Sequence, residues 1–158
     1  MIDTLTPLIH EYGYLLFFLA FSLGPFGIPI PNEITILTGG ILSREDHLNG
    51  GIVYVLILCG LITAVTFAYL TGRLLGNRFM ARFRNNRHFQ QAERLIGRYG
   101  NLAMGIGFFI PVVRYVVPVF FGISNVPYAK FALISYSGAF VWTASFFSIG
   151  RFFGERLL

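Results

Sequence analysis

Charge is what this 158-residue chain has least of. Asp, Glu, Lys and Arg together make 12% of it, about half the share usual in globular proteins. Acids are the scarcer sign, seven against twelve bases, and Lys130 is the one lysine. Against this, 55% of the residues are hydrophobic and eighteen are Phe. A soluble domain of this size cannot hide so much apolar surface, and a disordered chain would not carry it. Cysteine occurs once, as Cys59 inside an apolar run, so an intrachain disulfide and a secreted disulfide scaffold are excluded. Histidine is nearly absent: His10, His47 and His88 sit one per segment edge, without ligand spacing, so no metal is expected, and no cofactor is expected either. What remains is an all-α integral membrane protein, a single membrane domain over residues 1–158 whose solvent is lipid. Asp3 and Glu11 without a positive n-region make a cleavable leader unexpected.

The bases are unevenly placed. Seven of the eleven arginines fall between Arg73 and Arg98, opposed by Glu93 alone. Membrane-grade apolar segments flank this stretch on both sides, so no nucleic acid partner is expected, and the positive-inside rule puts loop 73–98 in the cytoplasm. Ser43 to Asn49 and the N-terminus then face out.

Residues 52–72 and 131–150 are uncharged runs of 21 and 20 residues, ending at Arg73 and Arg151. About 20 residues cross the hydrocarbon core, so both are expected to span. Two other apolar regions are interrupted at mid-length. Tyr12 to Gly24 leads through Pro25, Pro29 and Pro31 to Glu33 and a short second run. Asn101 to Ile110 leads through Pro111, Arg114 and Pro118 to Gly122 and Pro127. Neither half can span alone. Irregular backbone at membrane depth survives only against protein or a polar cavity, so both regions read as re-entrant, broken hairpins.

An internal repeat orders these parts. Gly72-Arg73-Leu74-Leu75-Gly76 and Gly150-Arg151-Phe152-Phe153-Gly154 share the pattern Gly-Arg-Φ-Φ-Gly (Φ apolar), 78 residues apart. Tyr12-Gly13 answers Tyr99-Gly100, Pro31 with Glu33 answers Pro111 with Arg114, and Gly40-Ile41 answers Gly122-Ile123. Repeat one covers about 12–76 and repeat two about 99–154, with a basic amphipathic linker at 77–98 carrying Phe79, Phe83, Phe89, Ala92 and Ile96. One spanning helix goes in and the next returns, so the plan is an inverted repeat of hairpin plus spanning helix, as in secondary transporters, with amphipathic interfacial helices. Gly72 and Gly76 should let the first span approach its repeat mate or a hairpin closely.

Pro29-Ile30-Pro31-Asn32-Glu33, the Tyr69-x-x-Gly72-Arg73-x-x-Gly76 stretch, Arg98-Tyr99-Gly100, the run Phe109 to Gly122 with Pro111, Arg114, Tyr115 and Pro118, and Gly138-Ala139-x-x-Trp142 follow in this order. In them the chain resembles the DedA family (the SNARE-associated Golgi protein or VTT-domain superfamily). The resemblance implies two opposed re-entrant hairpins and lipid translocation: carriers of undecaprenyl phosphate and phospholipid translocases or scramblases belong to that family. The chain departs from the pattern twice. Many relatives carry a further acid where Phe21 to Gly24 stand here, and an Arg where Phe108 stands.

Glu33 and Arg114 are the ionisable side chains well inside the broken segments. A charge there costs at least a few kcal/mol, about 2.5 to 3.5 on insertion scales. As a site, Arg114 and the N–H groups of half-helix starts would surround a phosphate, with Asn32 beside them, while Glu33 would bind an amine headgroup, titrate, or hold Arg114 between substrates. As structure alone, Asn32 caps a half-helix, Glu33 suits its positive end and Arg114 is a structural partner or snorkels. Pro29, Pro31, Pro111, Pro118 and Gly122 are hairpin scaffold. Trp142 and the phenylalanines are lipid-facing or packing residues, and Tyr12, Tyr14, Tyr99 and Tyr128 suit an interfacial belt.

The expected function is a membrane lipid translocase, of flippase or scramblase type, in the bacterial cytoplasmic membrane. Its partner would be a membrane phospholipid such as phosphatidylethanolamine or a polyprenyl phosphate such as undecaprenyl phosphate. No catalytic residue is expected, since no nucleophile or metal cluster lies in a membrane segment. The alternatives are a membrane-embedded lipid-modifying enzyme and a structural assembly protein. A homo-oligomer is left open.

Overall fold

The structure is a computed structural model, and it describes residues 2–23, 32–44, 48–107, 109–111 and 113–157. These form seven helices: α1 (Ile2–Ser22), α2 (Asn32–Arg44), α3 (Gly50–Phe83), α4 (Arg87–Tyr99), α5 (Leu102–Gly107), α6 (Val113–Ile123) and α7 (Tyr128–Leu157). No strand occurs among the described residues. Two helices, α3 over Gly50–Arg78 and α7 over Tyr128–Phe153, are long and apolar enough to cross a membrane. Pro29 and Pro31 lie outside the described residues.

Both long helices run past the arginines at which the sequence placed their ends. An arginine closes a hydrophobic window, but it is a good helix former. The first stop after Arg73 is Arg84-Asn85, where Asn86 caps α4 by accepting from the His88 N–H at 2.9 Å. Stretch 77–98 is therefore the end of α3 followed by a separate α4. Phe89 and Ala92 of α4 are buried, and the Phe89 ring lies 4.1 Å from that of Phe120 in α6. Protein, not lipid, covers these apolar residues.

Helix ends follow from local chemistry. Asn49 caps α3: its Oδ1 accepts from the N–H groups of Gly51 (3.0 Å) and Ile52 (3.3 Å), and its own N–H donates to Tyr14 Oη at 2.9 Å. Asn125 closes α6 at φ 54°. Its N–H reaches Gly122 O and the Val126 N–H reaches Phe121 O, which is a Schellman stop, and Pro127 follows. Hydroxyls inside the apolar helices bond back to the carbonyl four residues earlier, as Ser22 does to Phe18, Thr38 to Ile34 and Ser145 to Val141. That satisfies a polar group where lipid cannot.

The chain forms two compact units, 1–61 with 140–158, and 62–139. In the first, α1 packs on α2, and Trp142, 1% exposed, is enclosed with Phe21 and Phe146. Gly40 lies against the Phe147 carbonyl and the Arg151 N–H, and Gly150 against the Leu37 carbonyl. In the second unit α4 packs on α5 and α6. Gly72 lies against the Val119 carbonyl, and Gly122 against the Tyr69 carbonyl and the Arg73 N–H. The two contacts have the same grammar: Leu37 and Val119 stand three before Gly40 and Gly122, and Phe147 and Tyr69 three before Gly150 and Gly72. Helix α2 meets α7, α6 meets α3, and at each meeting backbone touches backbone where a Cβ has no room. The partner of Gly72 is therefore α6.

Large apolar side chains are exposed, Leu74 at 80% among them, and most of the apolar window of each long helix is not buried by protein. Cys59 is exposed in the same way. Gly97, in α4, has open space where a Cβ would stand, with nothing within 4 Å. Gly97→Ala is expected to raise stability by about 0.5 to 1 kcal/mol, because alanine loses less backbone entropy in a helix. A thermal melt in detergent checks this, and a lower midpoint would contradict it.

Candidate functional site

Arg114 is the second residue of α6. Pro111 stands in the turn before it and cannot donate, the Pro111 carbonyl accepts from Val113 N–H at 2.8 Å, and Arg114 N–H reaches Ile110 O at 3.1 Å. The turn thus fixes where α6 begins. Arg114 is 2% exposed, and Val113 and Val117 beside it are buried. Gly107 of α5 sits against Val117 and Val113, so α5 closes over this first turn. The guanidinium carbon lies 5.9 Å from the centre of the Tyr115 ring.

Two features of α6 weigh on that arginine. The positive end of a helix macrodipole disfavours a cation in the first turn and favours an anion there. Pro118, buried inside α6, has no N–H for the Arg114 carbonyl four residues back. One short helix therefore combines Arg114, Pro118 and Gly122, with Gly122 buried against α3.

Asn32 and Glu33 open α2 in the other unit. Asn32 is buried and Glu33 half-buried, in the first turn, where the helix dipole favours a carboxylate. Glu33 and Arg114 are each the second residue of a short helix, Glu33 where the dipole suits it and Arg114 where it does not. Among the described residues no group of three or more His, Cys, Asp or Glu could hold a metal ion.

Of the belt tyrosines, Tyr12, Tyr99 and Tyr128 are exposed, Tyr128 also sharing a hydrogen bond with Tyr136 at 2.6 Å, whereas Tyr14 serves the α3 cap. Sequence reasoning missed Tyr69. Its side chain is fully buried, stacks on Phe131 at 4.3 Å and accepts from Arg73 Nη1 at 2.8 Å. The signal was available, since Tyr69 heads the Tyr-x-x-Gly-Arg motif.

In comparison with protein families, residues 30–152 match the VTT domain. The chain belongs to the VTT-domain family. The match takes in Asn32, Glu33, Arg114 and both Gly-Arg dipeptides. Among relatives of this VTT-domain chain, the uncharacterized membrane protein YbfM of Bacillus subtilis is 30% identical over 96% of this chain and 97% of its own length. Protein DedA of Escherichia coli is 26% identical, covering 95% of this chain and 74% of its own. Undecaprenyl phosphate transporter A of Staphylococcus aureus is 23% identical, covering 96% and 79%. No solved structure matches. This VTT-domain chain is thus a membrane protein of the DedA type.

Proposed function

We propose that the protein is a lipid translocase of the bacterial cytoplasmic membrane, and that Arg114 binds the phosphate of the lipid it moves. The observation that carries this is the burial of a cation in the first turn of α6, where the helix dipole opposes it. An anion relieves that conflict: a phosphate accepts from the guanidinium fork and from helix N–H groups together. The similarity to transporters named for undecaprenyl phosphate supports a phosphate-bearing lipid as cargo.

The twofold glycine contact supports the inverted repeat of re-entrant hairpins, with α5–α6 entering and leaving by the cytoplasmic face. Asn101→Cys and Ser124→Cys, both at exposed positions, are expected to be labelled from the cytoplasm in a Cys59→Ala background, and Asn49→Cys from outside. Labelling of Asn101→Cys and Ser124→Cys from opposite faces would remove the hairpin.

Glu33, in the first turn of α2, is the carboxylate that the amine of a lipid headgroup would use. An amine-bearing lipid needs the carboxylate and a polyprenyl phosphate does not. Glu33→Gln is therefore expected to slow phosphatidylethanolamine movement at least about tenfold and undecaprenyl phosphate movement less. Purified protein in vesicles, with a leaflet-specific assay for each lipid, tests function and cargo together. Transbilayer rates no faster than in protein-free vesicles for both lipids would contradict the proposal.

A further inference from the structure

The basic end of α3 carries a cleft that Arg114 does not line. Its volume is about 440 Å³, and Arg73, Asn77, Arg78, Ile123 and Asn125 are among its walls. Among the described residues its polar side chains are two guanidiniums and two carboxamides, and no acid lines it. The size lies within the range of about 300 to 1,000 Å³ typical of small-ligand sites.

Two features show the cleft to be built, not merely charged. Arg73 gives one N–H to Tyr69 Oη, and Tyr69 in turn donates to the Val126 carbonyl; because Tyr69 is fully buried and stacked on Phe131, that guanidinium rests on a rigid support. Asn125 occupies the left-handed position that ends α6, where glycine is least strained. Asparagine there adds an amide to the cleft wall. Arg73 and Asn77 are one helical turn apart, at the end of the apolar window Gly50–Arg78, which is headgroup depth for a spanning helix. The other Gly-Arg-Φ-Φ-Gly end repeats the theme: Arg151, with Arg44 and Phe152, lines a cleft of about 240 Å³.

We propose that the Arg73–Arg78 cleft binds the phosphate of an anionic lipid headgroup at the membrane surface, as a docking site separate from Arg114. Planar guanidiniums suit a phosphodiester, and basic pockets beside membrane helices recognise lipid heads. Binding is an equilibrium property, so it stands or falls independently of transport.

The test uses the full chain in neutral detergent with short-chain phosphatidylglycerol, and inorganic phosphate at equal concentration, each read as a shift in melting temperature. The lipid is expected to stabilise the protein and inorganic phosphate is not. Arg73→Gln with Arg78→Gln should weaken lipid affinity about tenfold to thirtyfold, with the unliganded melting temperature lowered by no more than the loss of the Arg73–Tyr69 hydrogen bond. Arg84→Gln with Arg87→Gln, exposed and outside the cleft, should weaken it less. Equal weakening in that control would reduce the site to a diffuse basic surface. Inorganic phosphate binding as tightly as the lipid would overturn the lipid assignment. A lower unliganded melting temperature with unchanged lipid affinity would reduce the two arginines to capping the C-terminal end of α6.

Discussion

Leucine at Gly72 or Gly122 is expected to lower stability in detergent by about 3 kcal/mol or more. At both positions even a Cβ would overlap backbone, Val119 in one case and Tyr69 with Arg73 in the other. Backbone cannot rotate aside as a side chain can, so α3 and α6 would have to separate, and the packing between them would go with the contact. Gly40→Leu and Gly150→Leu should behave alike in the other unit, since each meets carbonyl or N–H groups of the facing helix. Leu74→Phe, on a side chain 80% exposed, is the comparison and should be nearly neutral. Equal midpoints for Gly72→Leu and Leu74→Phe in chemical or thermal unfolding would show that the close approach contributes nothing.

These glycines also mark what was readable beforehand. The Gly-Arg-Φ-Φ-Gly repeat and the answering Gly40-Ile41 and Gly122-Ile123 pairs stood in the sequence in order, but spacing alone left the partner of Gly72 open between the other span and a hairpin. The two long apolar helices were legible because bilayer thickness sets the length of such a run and lipid tolerates few charges along it. Their ends were not, since Arg73 and Arg151 stop hydrophobicity without stopping a helix. The apolar side of α4 was legible as a face, but lipid and protein select the same residues, and Phe89 against Phe120 decides for protein. Arg114 and Glu33 announced themselves as charges among apolar residues. The cleft around Arg73 did not, because Asn125 and Tyr69 are polar in ways that any loop or interface allows.

The second large effect belongs to Arg114. Arg114→Lys is expected to lose translocation as well as Arg114→Ala. Lysine keeps the charge but presents one rotating ammonium where arginine presents a planar fork, so a bidentate hold on phosphate is lost. A structural ion pair needs only the charge and would tolerate the change. The two hydrogen bonds to an ionised partner are together worth a rate loss of about a hundredfold or more. Both variants should retain the parent's folding, checked by their elution as the same species and by a melting temperature near the parent's. Rescue of transport by lysine would return Arg114 to a structural role.

The most direct measurement compares the transbilayer rate of undecaprenyl phosphate or a phosphatidylethanolamine in vesicles holding equal amounts of folded parent and folded Arg114→Ala protein. A parent rate above that of protein-free vesicles, with the variant at the protein-free rate, is the expected result. A variant as fast as the parent would contradict phosphate binding by Arg114 and with it the proposed mechanism.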